Sequence, residues 1–336
     1  MRGLIATLLA GCAASGPVVF DPAEVGSDGK ADGGSSVPDV RCEGAPDAGS
    51  PTKFRHFSSR IISALGDPRH RGFDLIAAAS DETQTIAGAI SYTIADKALE
   101  DEYVDVFACR AGSWEKLGRT RTDDEGRFAL SLTDDDRLPL GIRDLYVSVG
   151  PDRTGTRFVG LVASDDAPVI ATDVDGTLTS SEHEFFETIV LGIDADVRPD
   201  AAEALTVAAG KGYQLVYVTA RGQQYTYETR DWLDRLGFPR GPLRLSPSFL
   251  TLPGGDTVDY KTETLSAIAA KLPVVAGIGN RESDVSAYEA VGIDGAHVWV
   301  ETSEYADELT GPIGAGLATG FETYDELRSG PIADLP

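Results

Sequence analysis

The chain has 336 residues, a length that suits two ordinary domains or one domain with a tail, and its 42% hydrophobic content is enough for a real core. With 54 Asp and Glu against 29 Lys and Arg, the net charge is −25. So acidic a surface repels phosphate backbones and argues against docking on anionic lipid through a basic patch; nucleic-acid binding is excluded on this ground, and the charge itself reads as a solubility feature.

At the N-terminus, Arg2 precedes an apolar run from Leu4 to Ala10, followed by Gly11 and Cys12. Leu9-Ala10-Gly11-Cys12 resembles a bacterial lipobox, so residues 1–12 read as a lipoprotein signal with a lipidated Cys12, and residues 13–50, poor in large apolar groups, as a flexible linker. The expectation is an exported bacterial lipoprotein, periplasmic or outer-membrane associated, held to the membrane by its N-terminal lipid. Cys42 and Cys109 would then face an oxidising compartment, and whether they pair stays open. Residues 51–83 read as irregular with one short helix, Arg60 to Leu65, among basic residues (Arg55, His56, Arg60, Arg69, His70, Arg71) taken as a solvated loop.

Residues 84–163 read as several short strands: Tyr103 to Phe107 alternates with period two, Arg127 to Leu132 follows the turn Asp123-Asp124-Glu125-Gly126, and Leu145 to Val149 adds another. They predict a small β-sandwich with no catalytic cluster. From residue 164 the pattern changes. Short apolar runs (Val169 to Thr172, Tyr213 to Val218, Val274 to Ile278, Ala296 to Val300) alternate with helices predicted from Pro199 to Ala209, Gln223 to Leu236, Lys261 to Leu272 and Ser283 to Ala290. This is the signature of an α/β, doubly wound parallel sheet over residues 164–336, which binds ligands at the carboxyl ends of its strands. Gly311 to Gly320 reads as a loop and Phe321 to Leu327 as a closing helix.

Asp173-Val174-Asp175-Gly176-Thr177 follows the first of these strands. Two acids two residues apart at a strand end can both face the crevice, and Gly176 lets the backbone approach a phosphate closely. Three more features arrive at strand or helix ends in order: Val218-Thr219-Ala220-Arg221, Lys261, and Gly279-Asn280-Arg281-Glu282-Ser283-Asp284. The ordered set of four is far more specific than any one of them, and it resembles the motif set of the haloacid dehalogenase superfamily. The resemblance implies a Mg²⁺-dependent phosphohydrolase. Asp173 would be the nucleophile, forming an aspartyl-phosphate, and Asp175 the acid and base. Thr219 would hold the phosphoryl group and Lys261 neutralise its charge. Gly176, Thr177, Ala220 and Arg221 would line the substrate. Asp173, the backbone carbonyl of Asp175, and Asn280 or Asp284 would hold the metal. Many members of the superfamily have Asp where Asn280 stands, which shifts metal binding towards Asp173 and Asp284.

Asp173 to Glu182 and Gly279 to Ile293 are also similar to the lipins, which are phosphatidate phosphatases. Val216 to Arg221 and Trp232-Leu233 are similar to the C-terminal domain of membrane-associated phosphatidylinositol transfer proteins, and the match covers residues 168–302. Lipins usually have Asp at the position of Glu182. The similarity implies a phosphate-ester substrate, phosphatidate or a related lipid phosphate, with two alternatives: a catalytically idle phosphatidate-binding module, or a phosphatase of soluble esters. Only 45 residues (174 to 218) separate Asp173 from Thr219, and 41 (220 to 260) separate Thr219 from Lys261, so neither gap has room for a large cap domain. No amphipathic membrane helix stands out.

Overall fold

The computed structural model describes residues 37–93, 95–181, 195–248 and 255–336. The lipobox, most of the 13–50 linker, Glu182 and His183 lie outside the described residues.

Two mainly antiparallel sheets form the sandwich. One is β3 (Leu75–Ala78), β11 (Gly155–Ala163), β10 (Gly141–Val149), β7 (Tyr103–Arg110) and β8 (Ser113–Arg121) in that spatial order, with β1 (Asp39–Val40) added to β10; it is antiparallel except where β3 and β1 join it in parallel. The other is β2 (Arg71–Phe73), β4 (Thr83–Ala89) and β9 (Arg127–Thr133). A two-stranded ribbon, β5 (Ser91–Tyr92) with β6 (Lys97–Ala98), completes it. Period-two alternation builds the core: Val104, Val106 and Ala108 of β7 meet Leu145, Val147 and Val149 of β10, with Ile86, Phe128 and Leu132 from the facing sheet. The sandwich therefore begins earlier than the sequence suggests. Residues 51–83 are not merely irregular, since β2 and β3 lie there; runs of three and four residues are too short to show a period. The end of the expected linker is also ordered. Cys42 is buried and disulfide-bonded to Cys109, closing a 67-residue separation, which stabilises the fold by about 4 kcal/mol in the chain-entropy account.

A buried polar group sets the sandwich's acid limit. Burial pushes the His70 imidazole down to about 4, against the pull of Asp152. The fold thus holds His70 neutral while the unfolded chain protonates it below about 6.5. Stability should fall as pH drops from about 6.5 towards 4, by up to about 3 kcal/mol. Asp105 acts in a separate window: burial opposes it, but Arg119 and Lys116 win and pull it to about 2, so its contribution is lost only below about pH 4. Urea midpoints between pH 7 and 4.5 should slope downwards in the wild type and flatten in His70→Gln; parallel slopes would remove His70 from the account.

The second domain is a six-stranded parallel sheet: β12 (Val169–Thr172), β13 (Gln214–Gly222), β14 (Leu243–Ser246), β15 (Val274–Gly279), β16 (Val298–Glu301) and β17 (Thr319–Phe321), in the spatial order β14-β13-β12-β15-β16-β17. Counted within the domain this is 3-2-1-4-5-6, a doubly wound order in which successive strands are added first on one side of β12 and then, from β15, on the other. Alternate residues serve opposite faces. Ile170, Leu215, Tyr217 and Ile278 pack with Leu205, Trp232 and Leu327 from the helices of one face. Ala171, Val216, Val218 and Val300 pack with Leu265 and Val285 on the other, and there the sandwich joins the same core through Ile76, Val159 and Leu161. Buried Asp74 locks this junction by accepting hydrogen bonds from the backbone of Val159 and Leu243 (both 2.7 Å) and from Arg230 (2.5 Å).

Two expectations are corrected. Lys261 does not open its helix: the helix runs Gly255–Ala269, with Asp256 in its first turn, where an acid suits the helix dipole. Gly311 to Gly320 is not a loop throughout, because the helix Ala306–Gly314 extends into it around fully buried Leu309 and β17 follows.

Candidate active site

Asp173 is the first residue past β12, at the switch point, and its backbone N–H donates to the Ile278 carbonyl of β15 (2.9 Å). This contact brings the motif loop against the loop that follows β15. Gly176 then turns the chain at φ +71°, and a β-carbon there would sit 2.1 Å from Asn280 Nδ2, so only glycine fits. Arg198 donates to the Gly176 carbonyl from Nε (3.0 Å) and Nη2 (2.8 Å) and pairs with buried Glu301 at 2.9 Å. Thr179 Oγ1 accepts from the Gly176 N–H (2.8 Å).

Two clusters result. In the first, Lys261 reaches from the second turn of its helix and donates to Asp173 Oδ1 (2.7 Å) and Asp284 Oδ1 (2.5 Å). All three side chains are buried. The second oxygen of Asp284 accepts from the N–H groups of Asn280 (3.0 Å) and Arg281 (3.1 Å), which fixes the carboxylate at its helix start. Thr177 Oγ1 lies 3.2 Å from Asp173 Oδ2 and 3.1 Å from Asn280 Oδ1. Burial raises Asp173 well above the usual carboxylate range despite Lys261's pull, and Asp173 with Asp284 raises Lys261 despite burial. Both shifts keep a proton inside the trio, and the ammonium between two carboxylates is its seat.

In the second cluster Arg221, also buried, clamps Asp175. Its Nε lies 3.0 and 2.9 Å from the two carboxylate oxygens and its Nη2 2.6 Å from Oδ1, while Thr219 Oγ1 donates to Oδ2 (3.0 Å). Thr229 braces the guanidinium at 3.1 Å. Thr219 is thus turned to Asp175 rather than to an open phosphate position, and Arg221 is a partner of the second acid. Ala220 lies between them and presents no polar side-chain contact.

The residues fit a hard cation. The trio of Asp173, Asp284 and Lys261 carries a net charge of −1, and the Asp175–Arg221 pair adds none. Asn280 Nδ2 is buried without a protein partner; oxygen and nitrogen of an amide are assigned from hydrogen bonding, and a 180° flip puts an oxygen in that place. Asp173, Asp284, the Asp175 carbonyl and the Asn280 amide form the all-oxygen set that Mg²⁺ prefers. Because Asn280 is neutral, the described residues hold no cluster of three His, Cys, Asp or Glu around one point.

A cleft of about 400 Å³ opens between the sandwich (Gly72, Phe73, Arg127), the chain just past β13 (Gln223, Thr226) and β14 with the residue after it (Leu245, Pro247). Arg244 lines it, and among the described residues its side chain hydrogen-bonds the Leu243 carbonyl at 3.3 Å. Sequence reasoning missed Arg198, Glu301 and Arg244. Arg198 stands just before Pro199, the one local sign that it belongs to a fixed helix entry.

Residues 170–301 match the family described as PITM 1-3, LNS2 domain, and residues 68–162 match PITM 1-3, beta-sandwich domain. The chain is 24% identical over 235 residues to membrane-associated phosphatidylinositol transfer protein 3 of Mus musculus, covering 69% of this chain and 23% of that protein. It is 27% identical over 229 residues to protein retinal degeneration B of Drosophila melanogaster, covering 67% and 17%. It thus spans less than a quarter of the length of these relatives. A putative beta-phosphoglucomutase from Thermotoga maritima superposes on 50% of the chain and all of its own, with a TM-score of 0.37 and 15% identity. The expectation of a lipoprotein with a signal peptide is corrected here: these transfer proteins are eukaryotic, and nothing in the matches supports a bacterial lipobox at Cys12. The chain is similar, in its sandwich and in its parallel-sheet domain alike, to the membrane-associated phosphatidylinositol transfer proteins.

Proposed function

We propose that this chain is a magnesium-dependent phosphohydrolase that works through an aspartyl-phosphate on Asp173, with phosphatidate or a related lipid phosphate as substrate. The observation that carries the proposal is the buried Asp173–Lys261–Asp284 trio at the switch point. It supports the reading because two carboxylates and a fixed cation lie where a doubly wound sheet binds ligands, and Asp173 is then available as the nucleophile. Mg²⁺, when bound by Asp173, Asp284, the Asp175 carbonyl and the Asn280 amide, would neutralise phosphoryl charge.

The protein's own groups supply the rest. Asp173 attacks phosphorus, and the bond to the leaving oxygen breaks. Lys261 holds the Asp173 carboxylate in place and offsets charge that builds on the phosphoryl oxygens. Asp175 gives its proton to the leaving oxygen, then takes one from the water that hydrolyses the aspartyl-phosphate. For this the Arg221 clamp has to loosen. An arriving phosphoryl dianion draws Arg221 Nη2 away from Asp175 Oδ1, which frees that oxygen for the proton while Oδ2 stays held by Arg221 Nε and Thr219. The cleft that Arg244 lines, which Asp74, Phe73 and Leu245 also line, is where this reading puts the non-transferred part of the substrate. The relatives' names, which mark them as phosphatidylinositol transfer proteins, support a lipid ligand. The Cys42–Cys109 disulfide supports maturation in an oxidising compartment.

One observation favours a second reading, a phosphatidate-binding module without turnover: the clamp leaves Asp175 engaged on both oxygens. Phosphate release from phosphatidate micelles and from a soluble aryl phosphate separates the two. Release from both, with phosphatidate preferred, supports the lipid enzyme. Release from the aryl ester alone keeps the chemistry and discards the lipid. Phosphatidate binding with no release from either establishes the binding module.

A further inference from the structure

The sandwich carries a helix, α1 (Phe57–Leu65), whose amphipathicity points the wrong way for a soluble fold. Its inner face is anchored largely by serines. Ser59 is buried, Ser63 Oγ donates to Asp152 (2.6 Å), and Ile62 alone of its large apolar residues packs on the sandwich core. Its outer face holds Phe57 (74% exposed), Ile61 (42%) and Leu65 (80%), which at a spacing of four form one stripe. Those are three of the seven large hydrophobic side chains exposed among the described residues. Scattered apolar groups need no explanation, but three on one nine-residue helix do.

The charge around the stripe is as unusual as its exposure. In a chain of net charge −25 the helix contains no acid. Arg60 lies beside the stripe on the exposed surface, and Lys53 precedes the helix, also exposed. Neither has an acidic partner among the described residues, whereas the neighbouring Arg55, Arg69 and Arg71 are all paired with carboxylates. The helix is firmly seated: a β-carbon on Gly66, just past its end, would sit 2.3 Å from Thr93 Cγ2 of the sandwich. Its exposed face is therefore a fixed surface. Past the helix, Arg69 reaches Glu228 (3.6 Å), next to Tyr227, which is itself 74% exposed, and Thr226, which lines the cleft.

We propose that α1 is an interfacial helix that seats the chain on a phospholipid bilayer. Phe57, Ile61 and Leu65 enter the boundary between head groups and acyl chains, and Arg60 and Lys53 meet lipid phosphates. The face argues for a bilayer rather than a protein groove because free cations edge an apolar stripe with no acid in it, which matches phosphate-bearing head groups. Apolar insertion supplies most of the binding, so the overall negative charge, screened beyond about 8 Å at physiological salt, does not prevent it. This goes beyond the proposed phosphatase activity and does not need turnover.

The test is flotation of the full-length protein with phosphatidylcholine vesicles, which offer no phosphomonoester. The wild type should float with the vesicles and keep doing so as salt is raised. Phe57→Ser combined with Leu65→Ser should cut the bound fraction at least tenfold, because two large apolar side chains no longer leave water on binding. Arg60→Gln should lower it less. Because both serines replace exposed groups, the double variant should unfold at the wild-type temperature. Failure of the wild type to float overturns the proposal, as does equal flotation of the double variant. So does a wild-type dimer in sedimentation that the double variant breaks without any vesicle binding, since the stripe is then a contact between two copies. Each result can be read whether or not either protein hydrolyses an ester.

Discussion

Lys261→Met should destabilise the protein by about 3–5 kcal/mol when measured with a chelator present. Lys261 Nζ sits 2.7 Å from Asp173 Oδ1 and 2.5 Å from Asp284 Oδ1, with all three side chains buried. Methionine fills similar volume, so the loss is not a cavity effect. It comes from leaving two desolvated carboxylates side by side with no countercharge. The same variant should recover part of that stability in excess Mg²⁺, because a cation bound only by the folded state shifts unfolding by mass action. The wild type, whose ammonium already holds both carboxylates, should gain less. Urea unfolding with chelator and with Mg²⁺ measures all four values. A loss under about 1 kcal/mol, or equal effects of Mg²⁺ on both proteins, would show that Lys261 is not the charge that holds the trio together.

Arg221→Lys should cut kcat on a soluble ester by about 10²-fold with KM changed much less. Lysine keeps the charge but cannot bind two oxygens in a fixed plane. Asp175 would then lose the orientation that three Arg221 contacts and Thr219 now give it. If Arg221 only neutralised Asp175, lysine would restore near-normal turnover. The unfolding temperature distinguishes a positioning role from a general weakening of the fold: lost orientation lowers kcat with the unfolding temperature unchanged, and a weakened fold lowers both. Wild-type kcat in Arg221→Lys would contradict the clamp described here.

Much of the parallel-sheet domain was legible in the sequence because its signals are local. Val169 to Thr172 is an apolar run with an acid motif at its end, and a parallel strand buried on both faces needs just that pattern. Asp173, Asp175, Thr219, Lys261, Asn280 and Asp284 could be picked out since each follows a strand end or lies on a helix entering the same crevice. What the sequence could not reveal is which way a side chain turns when two partners compete for it. Thr219 and Arg221 both look free to meet phosphate, yet both face Asp175. Arg198 contacts the Gly176 carbonyl across 22 residues of sequence, with nothing local to announce it. The helix at Phe57 shows the opposite failure. An apolar residue every fourth position normally marks the buried face, and only packing against Ser59, Ile62 and Ser63 shows that here the stripe faces out. Cys42 looked like part of a linker because composition alone cannot show that β1 and a disulfide hold it to the sandwich.

The measurement that bears most directly on the central claim is phosphate release from a soluble aryl phosphate by the full-length wild type and by Asp173→Asn, each with Mg²⁺ and with chelator. The aryl ester removes any dependence on membrane contact, and Asn keeps the size of Asp173 while removing the nucleophile. The account predicts release by the wild type in Mg²⁺, none above background in chelator, and a loss on the order of 10³-fold or more in Asp173→Asn, with folding intact by circular dichroism. Release that survives in Asp173→Asn, or that ignores the chelator, would contradict the account and place the chemistry elsewhere in the protein.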